Sequence, residues 1–473
     1  MAYISARGYS LLKDQLDETE YAKIKTDLSV TPYSPPGYGP MVPVKPNKLW
    51  IETPTRIYLP KFYGVLNYGV VPDKRSDGDE VDFVFEGSLR EEQEVPVKLV
   101  LNAMSDPVTG HGGILNVYCG GGKTTMALYI MSVVQRKTMI VVHKDFLLNQ
   151  WKERIMQFVP RASIGMVKAK VVDVENKDIL LVSLQSLSMK EYAPETFKGV
   201  GLAIFDEVHH TSAEVFSRAL RKIGSCKCTL GLSATIQRKD GLTKVFIWHL
   251  GDVLYTAAQR KDDDVEVRVI PYIHPSPEYC ATPTIQSYSA SGPKPNVSRM
   301  INNLVAFPPR NDVILECIRD IFDREPARKM LILSDRRSHL TELCALIPTA
   351  CPHLTCGLYL GGMKASALVE CESKKIILAT YAIASEGYDQ RGLDTLILAS
   401  PRSDVVQSVG RILRDKQGER KHTPTVIDIL DEFSVFPRQF DKRKAFYKSS
   451  KFKIIAQTTP TNMEPRKPPS GNR

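Results

Sequence analysis

The sequence predicts an α/β fold in which two tandem parallel-sheet domains follow a small N-terminal accessory domain. At 473 residues the chain is too long for one ordinary core. Short apolar runs alternate with helical stretches from about residue 81, and the alternation returns in the second half. Such runs are typical of strands buried in a parallel sheet between layers of helices. The predicted divisions are 1–80, 81–260, a linker or insert at 261–300, 301–457, and a disordered tail at 458–473.

Composition and charge narrow the functional classes. The formal net charge of +10 favours a polyanionic partner such as nucleic acid, although a generally basic surface would have the same charge. No apolar run is long enough to cross a bilayer, and the N-terminus lacks the apolar segment of a secretory signal. We therefore expect a soluble intracellular protein without a membrane partner. The nine cysteines form no C-x-x-C pair, which favours reduced thiols over disulfides or a zinc site.

The accessory region combines a helix with short aromatic strands. Asp17 is a candidate N-cap for a helix with apolar residues at helical spacing. After a proline- and glycine-rich segment, residues 56–64 predict a strand interrupted by proline. The aromatic side chains here could stack on nucleic-acid bases, but a small core is the favoured interpretation. These side chains are Trp50, Tyr58, Phe62 and Tyr63.

The central feature of the chain is a glycine-rich turn between a predicted strand and a predicted helix. Glycines let successive backbone N–H groups point inward, and the following helix adds its positive dipole end, so the turn is suited to phosphate oxygens. Lys123 would reach the β- and γ-phosphates, and the Thr124 hydroxyl would ligate Mg²⁺. A glycine turn with a chance lysine is the alternative. The turn comprises Gly120, Gly121, Gly122, Lys123, Thr124 and Thr125.

Polar residues follow two later strands of the same predicted sheet. Asp206 and Glu207 come directly after an apolar strand, where one carboxylate can hold Mg²⁺ and the other can orient and deprotonate a water. A helix N-cap region is the alternative for such a pair taken alone. The next strand ends in Ser233, Ala234 and Thr235, small residues that can exchange hydrogen bonds with a neighbouring domain. Ligands of parallel sheets bind at these carboxyl ends.

The lysine turn is followed in the chain by residues 206–209, D-E-V-H, and by residues 233–235, S-A-T. In this order the three segments resemble motifs I, II and III of the superfamily 2 helicases and translocases. The resemblance implies two RecA-like domains and an ATPase. Leu89 to Gln93 is similar to the family's L-R-x-x-Q element, which implies that Gln93 reads adenine. Residues 141–151 resemble motif Ia, which makes Lys144 a candidate contact for the nucleic-acid backbone.

The second half supplies two further motifs. Residues 380–389 resemble motif V. The resemblance makes Thr380 a candidate nucleic-acid contact. It also implies that Gly387 and Asp389 contact the nucleotide and couple its site to the second domain. Residues 407–414 fit motif VI, Q-x-x-G-R-x-x-R. On a helix, Gln407, Arg411 and Arg414 would share one face, from which two guanidinium groups could reach the γ-phosphate. An arginine face paired with solvent is the alternative.

Within the superfamily the chain is similar to XPB-like DNA helicases of large DNA viruses and phages, including the poxvirus transcript-release helicase. Residues 377–414 carry this resemblance. There are two departures. Arg238, Lys239 and Asp240 stand where that group has Arg-Glu-Asp, which puts a shared strand-separating wedge in doubt, and Val117 replaces a small residue before the lysine turn.

The combined interpretation is an ATP- and Mg²⁺-dependent DNA helicase or translocase. Its partner would be single- or double-stranded DNA, with RNA or the transcription machinery as further candidates. The resemblance also implies a viral protein that acts inside the host cell in transcript release, repair or recombination, and that could be packaged in the virion. The alternatives are a duplex-DNA translocase or annealing motor that does not separate strands, an ATP-gated nucleic-acid-binding scaffold, and a motor subunit of a nuclease assembly.

Overall fold

The chain forms two compact units, Met1–Ala258 and Gln259–Arg473. In the computed structural model the described residues are 1–31, 46–108, 110–118, 120–193, 195–207, 213–235, 241–258, 264–285, 292–385, 390, 392–413 and 420–456. Each unit contains a predominantly parallel sheet, and the first also carries a small antiparallel sheet at its N-terminus. The predicted fold class is confirmed. The tail predicted at 458–473 lies outside the described residues.

The N-terminal region is an antiparallel sheet in the order β1-β2-β6-β5, with two helices and a separate two-stranded ladder. As predicted, Asp17 caps the first helix, because its carboxylate accepts a hydrogen bond from the Glu20 N–H at 2.7 Å. The elements are β1 (Tyr3–Ser5), β2 (Gly8–Leu12), a 3₁₀ turn (Lys13–Gln15), α1 (Glu18–Asp27), β3 (Ser29–Val30), β4 (Asn47–Lys48), β5 (Ile51–Glu52), β6 (Arg56–Leu59) and α2 (Lys61–Tyr68).

The strand predicted over 56–64 is shorter than expected. Only Arg56–Leu59 is a strand, and Lys61 begins helix α2. Pro60 lies between them, where it has no N–H for the ladder and its restricted φ is compatible with a helix start. Tyr58, Phe62 and Tyr63 are buried, which supports the small core over exposed base-stacking platforms. Tyr63 belongs to a cluster that also contains Leu242 and Val245, so the N-terminal sheet packs on the first parallel-sheet domain.

The first large sheet has eight strands in the order β10-β9-β11-β8-β12-β13-β7-β14. All its pairs are parallel except β9 with the edge strand β10. The elements are α3 (Glu91–Ser105), β7 (Gly112–Asn116), α4 (Lys123–Val134), β8 (Thr138–Val142), α5 (Asp145–Phe158), β9 (Ile164–Lys168), β10 (Val171–Val172), β11 (Ile179–Ser183), α6 (Leu184–Met189), β12 (Leu202–Asp206), α7 (Ala213–Lys222), β13 (Cys228–Ser233), α8 (Thr243–Leu250) and β14 (Val253–Thr256).

Two apolar clusters cover the two faces of this sheet, one centred on α3, α4 and α5 and the other on α6, α7 and α8. Strands β8 and β11 are buried at every residue, so they lack the alternating pattern of a half-exposed strand. Burial on both faces explains why each strand is a continuous apolar run in the sequence. It also leaves the carboxyl ends of the strands as the place where polar side chains can gather.

The second large sheet has seven parallel strands in the order β19-β20-β18-β21-β22-β15-β23. Its elements are β15 (Glu266–Tyr272), α9 (Pro277–Cys280), β16 (Thr284–Ile285), β17 (Lys294–Pro295), α10 (Val297–Val305), α11 (Pro308–Arg324), β18 (Met330–Ser334), α12 (Arg337–Ala350), β19 (Cys356–Tyr359), α13 (Ala365–Glu372), β20 (Ile376–Thr380), α14 (Tyr381–Ser385), β21 (Thr395–Leu398), α15 (Val406–Val409), a 3₁₀ turn (Gly410–Ile412), β22 (Thr425–Asp431), α16 (Phe436–Ser449) and β23 (Lys453–Ala456).

The structure differs from the predicted linker at 261–300. Residues Glu266–Tyr272 form β15, which pairs with β22 over seven residues and with β23 on its other side. The sequence E-V-R-V-I-P-Y alternates charged and apolar residues and ends near a proline, so it resembles a connecting segment more than a buried strand. Its pairing partners lie more than 150 positions away, and local patterns do not reveal such pairing.

Two observations test the expectations drawn from composition. In the described part of the chain, no helix is both long and apolar enough to span a bilayer. Eight cysteines fall within the described segments, and all eight are free thiols.

A fully buried ion pair fastens α11 to β22 in the second unit. Arg310 donates from Nε and Nη2 to the two Asp431 oxygens at 2.7 and 2.9 Å, and from Nη1 to the Ala399 carbonyl. Both side chains are 0% exposed. The guanidinium therefore connects a helix and two strand ends at once.

Replacing Arg310 with methionine should lower the free energy of unfolding by about 3–5 kcal/mol, because it leaves the Asp431 carboxylate buried without its partner. Urea denaturation followed by circular dichroism would measure the change. Arg324→Met removes an exposed pair with Asp320 and should cost less than about 1 kcal/mol. Equal losses in the two variants would contradict the assignment of a structural role to the buried pair.

Candidate nucleotide site

Sheet order brings three of the predicted motifs together. Strands β12, β13 and β7 are neighbours, and all three are parallel. The carboxylate pair follows β12, Ser233 ends β13, and the glycine turn follows β7. The three segments therefore meet at one edge of the sheet, with the Ser-Ala-Thr segment between the other two.

The glycine turn needs glycine at two positions. Gly120 and Gly122 have φ of 85° and 81°, in the left-handed region where a side chain is strained. Gly122 is also crowded, because an added Cβ would lie 2.0 Å from Gln93 Nε2. Lys123 is the first residue of α4, so the N–H groups of a twelve-residue helix begin at the end of the turn. This geometry suits an anion.

Gln93 connects the turn to the start of α3. Its Oε1 accepts a hydrogen bond from the Arg90 N–H at 2.9 Å, and its Nε2 donates to the Gly121 carbonyl at 3.2 Å. The side chain is 2% exposed. The structure thus brings Gln93 to the predicted phosphate turn, and its predicted reading of adenine remains a prediction.

The Lys123 ammonium lies between the turn and the carboxylate pair. It donates to the Val117 carbonyl at 3.1 Å, and it is 3.3 Å from Glu207 Oε1. The residue is 9% exposed. Glu207 has a φ of 50°, which is uncommon for a residue with a side chain and indicates a backbone held in place by its surroundings. The Val117 carbonyl and the Glu207 carboxylate therefore both stabilise this buried cation.

Asp206 has a different environment from Glu207. Its Oδ2 accepts a hydrogen bond from the Trp151 indole N–H at 2.9 Å. Burial, and secondly the nearby negative charge of Glu207, raise the pKa of Asp206 to about 6. The surroundings of Asp206 thus disfavour its ionised form. A cation bound beside it would remove that penalty.

Trp151 is the residue that sequence reasoning missed. It lies on α5, is 2% exposed, and entered the sequence argument only as the last residue of the motif Ia segment. Its partner Asp206 is 55 positions away, so no local spacing joins the two. A buried tryptophan usually needs an acceptor for its N–H, and that need is the signal that could have prompted the search.

The Ser-Ala-Thr segment is tied to the glycine turn through the backbone. The Val117 N–H donates to the Ser233 carbonyl at 2.9 Å. The Ser233 hydroxyl donates to the Thr235 carbonyl at 2.6 Å and accepts from the Thr235 N–H at 3.3 Å. Ser233 is buried, Ala234 is half-buried and Thr235 is exposed. A shift of this segment would therefore move Val117, whose carbonyl accepts a hydrogen bond from Lys123.

The remaining predicted site residues are only partly described. Lys144 is the N-cap of α5, and Thr380 is the last residue of β20. Arg411 is 5% exposed, and its Nε donates to the Ala384 carbonyl. The shared face of Gln407 and Arg411 was argued for an α-helix, whereas α15 ends at Val409 and continues directly as the 3₁₀ turn that contains Arg411. Gly387, Asp389, Arg414 and the 238–240 segment lie outside the described residues.

The residues at this edge fit a nucleotide with a divalent cation. The turn offers backbone donors and a lysine, as polyphosphate requires. Thr124 and Asp206 offer the hydroxyl and carboxylate oxygens that Mg²⁺ prefers. Burial and the neighbouring Glu207 raise the pKa of Asp206, and a divalent cation beside the two carboxylates would oppose both effects.

Comparisons with known proteins identify the family. Residues 86–238 match the protein family described as "Type III restriction enzyme, res subunit". The chain is 35% identical over 457 residues to "Putative ATP-dependent RNA helicase L396" of Acanthamoeba polyphaga mimivirus, covering 95% of this chain and 86% of the relative. The chain belongs to the superfamily 2 helicases.

Two further likenesses agree with this family. "Putative ATP-dependent RNA helicase QP509L" of African swine fever virus is 26% identical over 366 residues, or 72% of this chain and 69% of the relative. Among solved structures, yeast Dbp5 bound to RNA and ADP BeF3 matches with a TM-score of 0.54, covering 78% of this helicase and 90% of that chain. At 12% identity this last match shows the fold alone, two RecA-like domains.

The Asp206 environment predicts a pH-dependent stability in the absence of Mg²⁺. The pKa of Asp206 is about 6 in the folded protein, above its value in the unfolded chain. Protonated Asp206 therefore contributes stability that is fully present below about pH 4 and is lost as the pH rises through about 6. Asp206→Asn should therefore stabilise the metal-free protein at pH 7.5 by about 1–3 kcal/mol and much less at pH 4.5.

Thermal unfolding in a chelating buffer at the two pH values would measure this difference. Asp323→Asn, which changes an exposed carboxylate on α11, should show no such difference. A stabilisation by Asp206→Asn that is equal at both pH values would contradict the raised pKa.

Proposed function

We propose that this superfamily 2 helicase is an ATP- and Mg²⁺-dependent DNA helicase or translocase. The observation that carries the proposal is the position of Lys123, which lies between a glycine turn and two adjacent carboxylates at the carboxyl edge of a parallel sheet. A lysine in that place exchanges its protein partners for phosphate oxygens when a nucleotide enters.

The first unit supplies the binding and hydrolytic groups. The Gly120–Gly122 turn and Thr125 would receive the phosphates, with Lys123 at the β- and γ-phosphates and Gln93 at the adenine. Thr124 and Asp206 would hold Mg²⁺, which neutralises charge that develops on the transferred phosphoryl group. If Lys123 turned to a phosphate, Glu207 Oε1 would lose this contact, and the carboxylate would orient a water and accept its proton.

The second unit would complete the reaction. Arg411 and Arg414 would place guanidinium groups near the γ-phosphate, where an arginine contributes roughly 10³–10⁵ in rate. Gln407, Gly387 and Asp389 would contact the nucleotide, and the Ser233–Thr235 segment would couple the site to the second domain. Hydrolysis would then require domain closure, which converts chemistry into movement along the strand.

The nucleic-acid substrate is DNA in this proposal, with Lys144 and Thr380 as backbone contacts. The net charge of +10 supports a polyanion, and phosphate contacts alone read no sequence. RNA is a second candidate, because the mimivirus and African swine fever virus relatives are named as putative RNA helicases. The motif resemblance supports an XPB-like viral protein that acts inside the host cell in transcription, repair or recombination.

The deciding experiment is steady-state ATP hydrolysis by the full chain at fixed salt. It would be run alone and with single-stranded DNA, duplex DNA or RNA. Stimulation by DNA supports the proposal, and stimulation by RNA only would replace DNA with RNA. Hydrolysis that responds to no polymer would overturn the motor assignment.

Two substitutions separate binding from hydrolysis. Glu207→Gln should leave ATP bound and reduce kcat by at least a hundredfold, because the amide cannot accept the water proton. Lys123→Ala should weaken nucleotide binding itself. Fluorescent-nucleotide titration and phosphate release would be measured on both variants. Normal turnover by the Glu207 variant would remove that residue from the role of base.

Trp151→Phe tests the indole as a positioning group for Asp206. Phenylalanine keeps most of the buried volume but removes the N–H that favours the ionised carboxylate, so the pKa of Asp206 should rise further. The acid limb of the kcat/KM profile should move to higher pH, and the Mg²⁺ requirement should increase.

Trp248→Phe, a half-buried tryptophan on α8, is the matched control and should leave both unchanged. A Trp151 variant that loses stability alone, with an unmoved pH profile, would assign the indole to packing only.

A further inference from the structure

A basic cavity lies between the N-terminal sheet and the amino ends of the first parallel sheet. It has a volume of about 80 Å³, and Thr229 near the start of β13 is on its wall. The candidate nucleotide site is at the other end of that strand, roughly 13 Å away at 3.3 Å per residue. Among the described residues, four basic side chains and no carboxylate line the cavity. The four are Arg7, Lys61, Arg75 and Arg221.

Lys61 is the deepest of these cations. It is 7% exposed, and within the described parts of the chain its ammonium has one hydrogen-bond acceptor, the Lys227 carbonyl at 3.0 Å. An ammonium has three donors, so two remain for other groups. Burial, and secondly the Arg75 guanidinium, lower the pKa of Lys61 well below its ordinary value. A buried cation without an anionic partner is costly to the fold.

The neighbouring groups relieve this charge only in part. Asp73 is the nearby carboxylate, but it is held by Arg75 at 2.5 Å. Burial, and secondly Arg218, lower the pKa of Arg221, which lies on the rim. The cavity wall therefore carries Arg7, Lys61 and Arg221 beside the paired Arg75, and this arrangement favours an anion.

His249 gives a second, independent indication. It lines the cavity, and its Nε2 is buried without a hydrogen-bond partner among the described residues. Burial, and secondly Arg221, lower its pKa to about 3, so the ring is neutral and carries one N–H. Buried polar atoms almost always have a partner, and an oxygen of a ligand in the cavity would supply one for Nε2.

We propose that this cavity binds a phosphate group, held by Lys61 and His249 inside and by Arg7 and Arg221 at the rim. A volume of 80 Å³ admits roughly five water-sized groups, which is sufficient for one tetrahedral phosphate. Guanidinium forks match phosphate oxygens, and Lys61 supplies a compact charge. The phosphate belongs either to a free phosphorylated ligand or to the backbone of a bound nucleic acid.

The first test uses inorganic phosphate and calorimetry on the full chain. Because the glycine turn would also bind phosphate, the titration is done in the Lys123→Ala background. One binding event should remain there, and adding Lys61→Met should weaken it at least tenfold. Lys23→Met, which removes an exposed lysine on α1, is the control for loss of one charge and should have no effect.

The second arm measures binding of a fluorescent oligonucleotide as a function of salt. If the phosphate belongs to nucleic acid, Lys61→Met should weaken binding and reduce the salt slope by about one, whereas Lys23→Met should not. An unchanged affinity for both inorganic phosphate and oligonucleotide in Lys61→Met would overturn the proposal. Should that variant fail to fold, Arg7→Met, on an exposed turn, must give the same losses.

Discussion

The structure of the candidate site depends on the contacts of the Lys123 ammonium with Val117 and Glu207. A buried cation must be compensated, and here the Val117 carbonyl and the Glu207 carboxylate compensate it from two different strand ends. This single group therefore fixes the distance between the glycine turn and the acidic pair. Glu207 makes this contact from a left-handed backbone, with a φ of 50°.

A parallel sheet is the arrangement that makes such a site possible. Crossover helices return each strand in the same direction, so segments that are far apart in sequence end at one edge. β7 precedes β12 and β13 in the chain by more than 80 residues, yet its end is connected to theirs by a backbone hydrogen bond and by an ion pair. The Val117 N–H bond to Ser233 gives a direct mechanical path from the Ser-Ala-Thr segment to the lysine.

The sequence predicted those parts that depend on local chemistry. Buried strands are continuous apolar runs, glycines mark a backbone with positive φ, and Asp17 marks a helix start, so these were found from the residues alone. Strand β15 and the Trp151 contact were not predicted, because each depends on partners more than 50 positions away. The end of α15 at Val409 was missed for another reason: the Q-x-x-G-R-x-x-R spacing suits a helix, while Gly410 weakens it.

In the proposed mechanism the two adjacent carboxylates would perform different tasks from one strand end. Asp206 is held by an indole N–H and is poorly compensated, so it gains most from a bound divalent cation. Glu207 is compensated by Lys123, so it is restrained until the lysine has another anion to bind. Filling the glycine turn would thus release Glu207 at the moment when phosphate is present. Without a ligand, the buried charge of Asp206 lowers the stability of the folded protein at neutral pH. Local destabilisation of this kind is typical of catalytic sites.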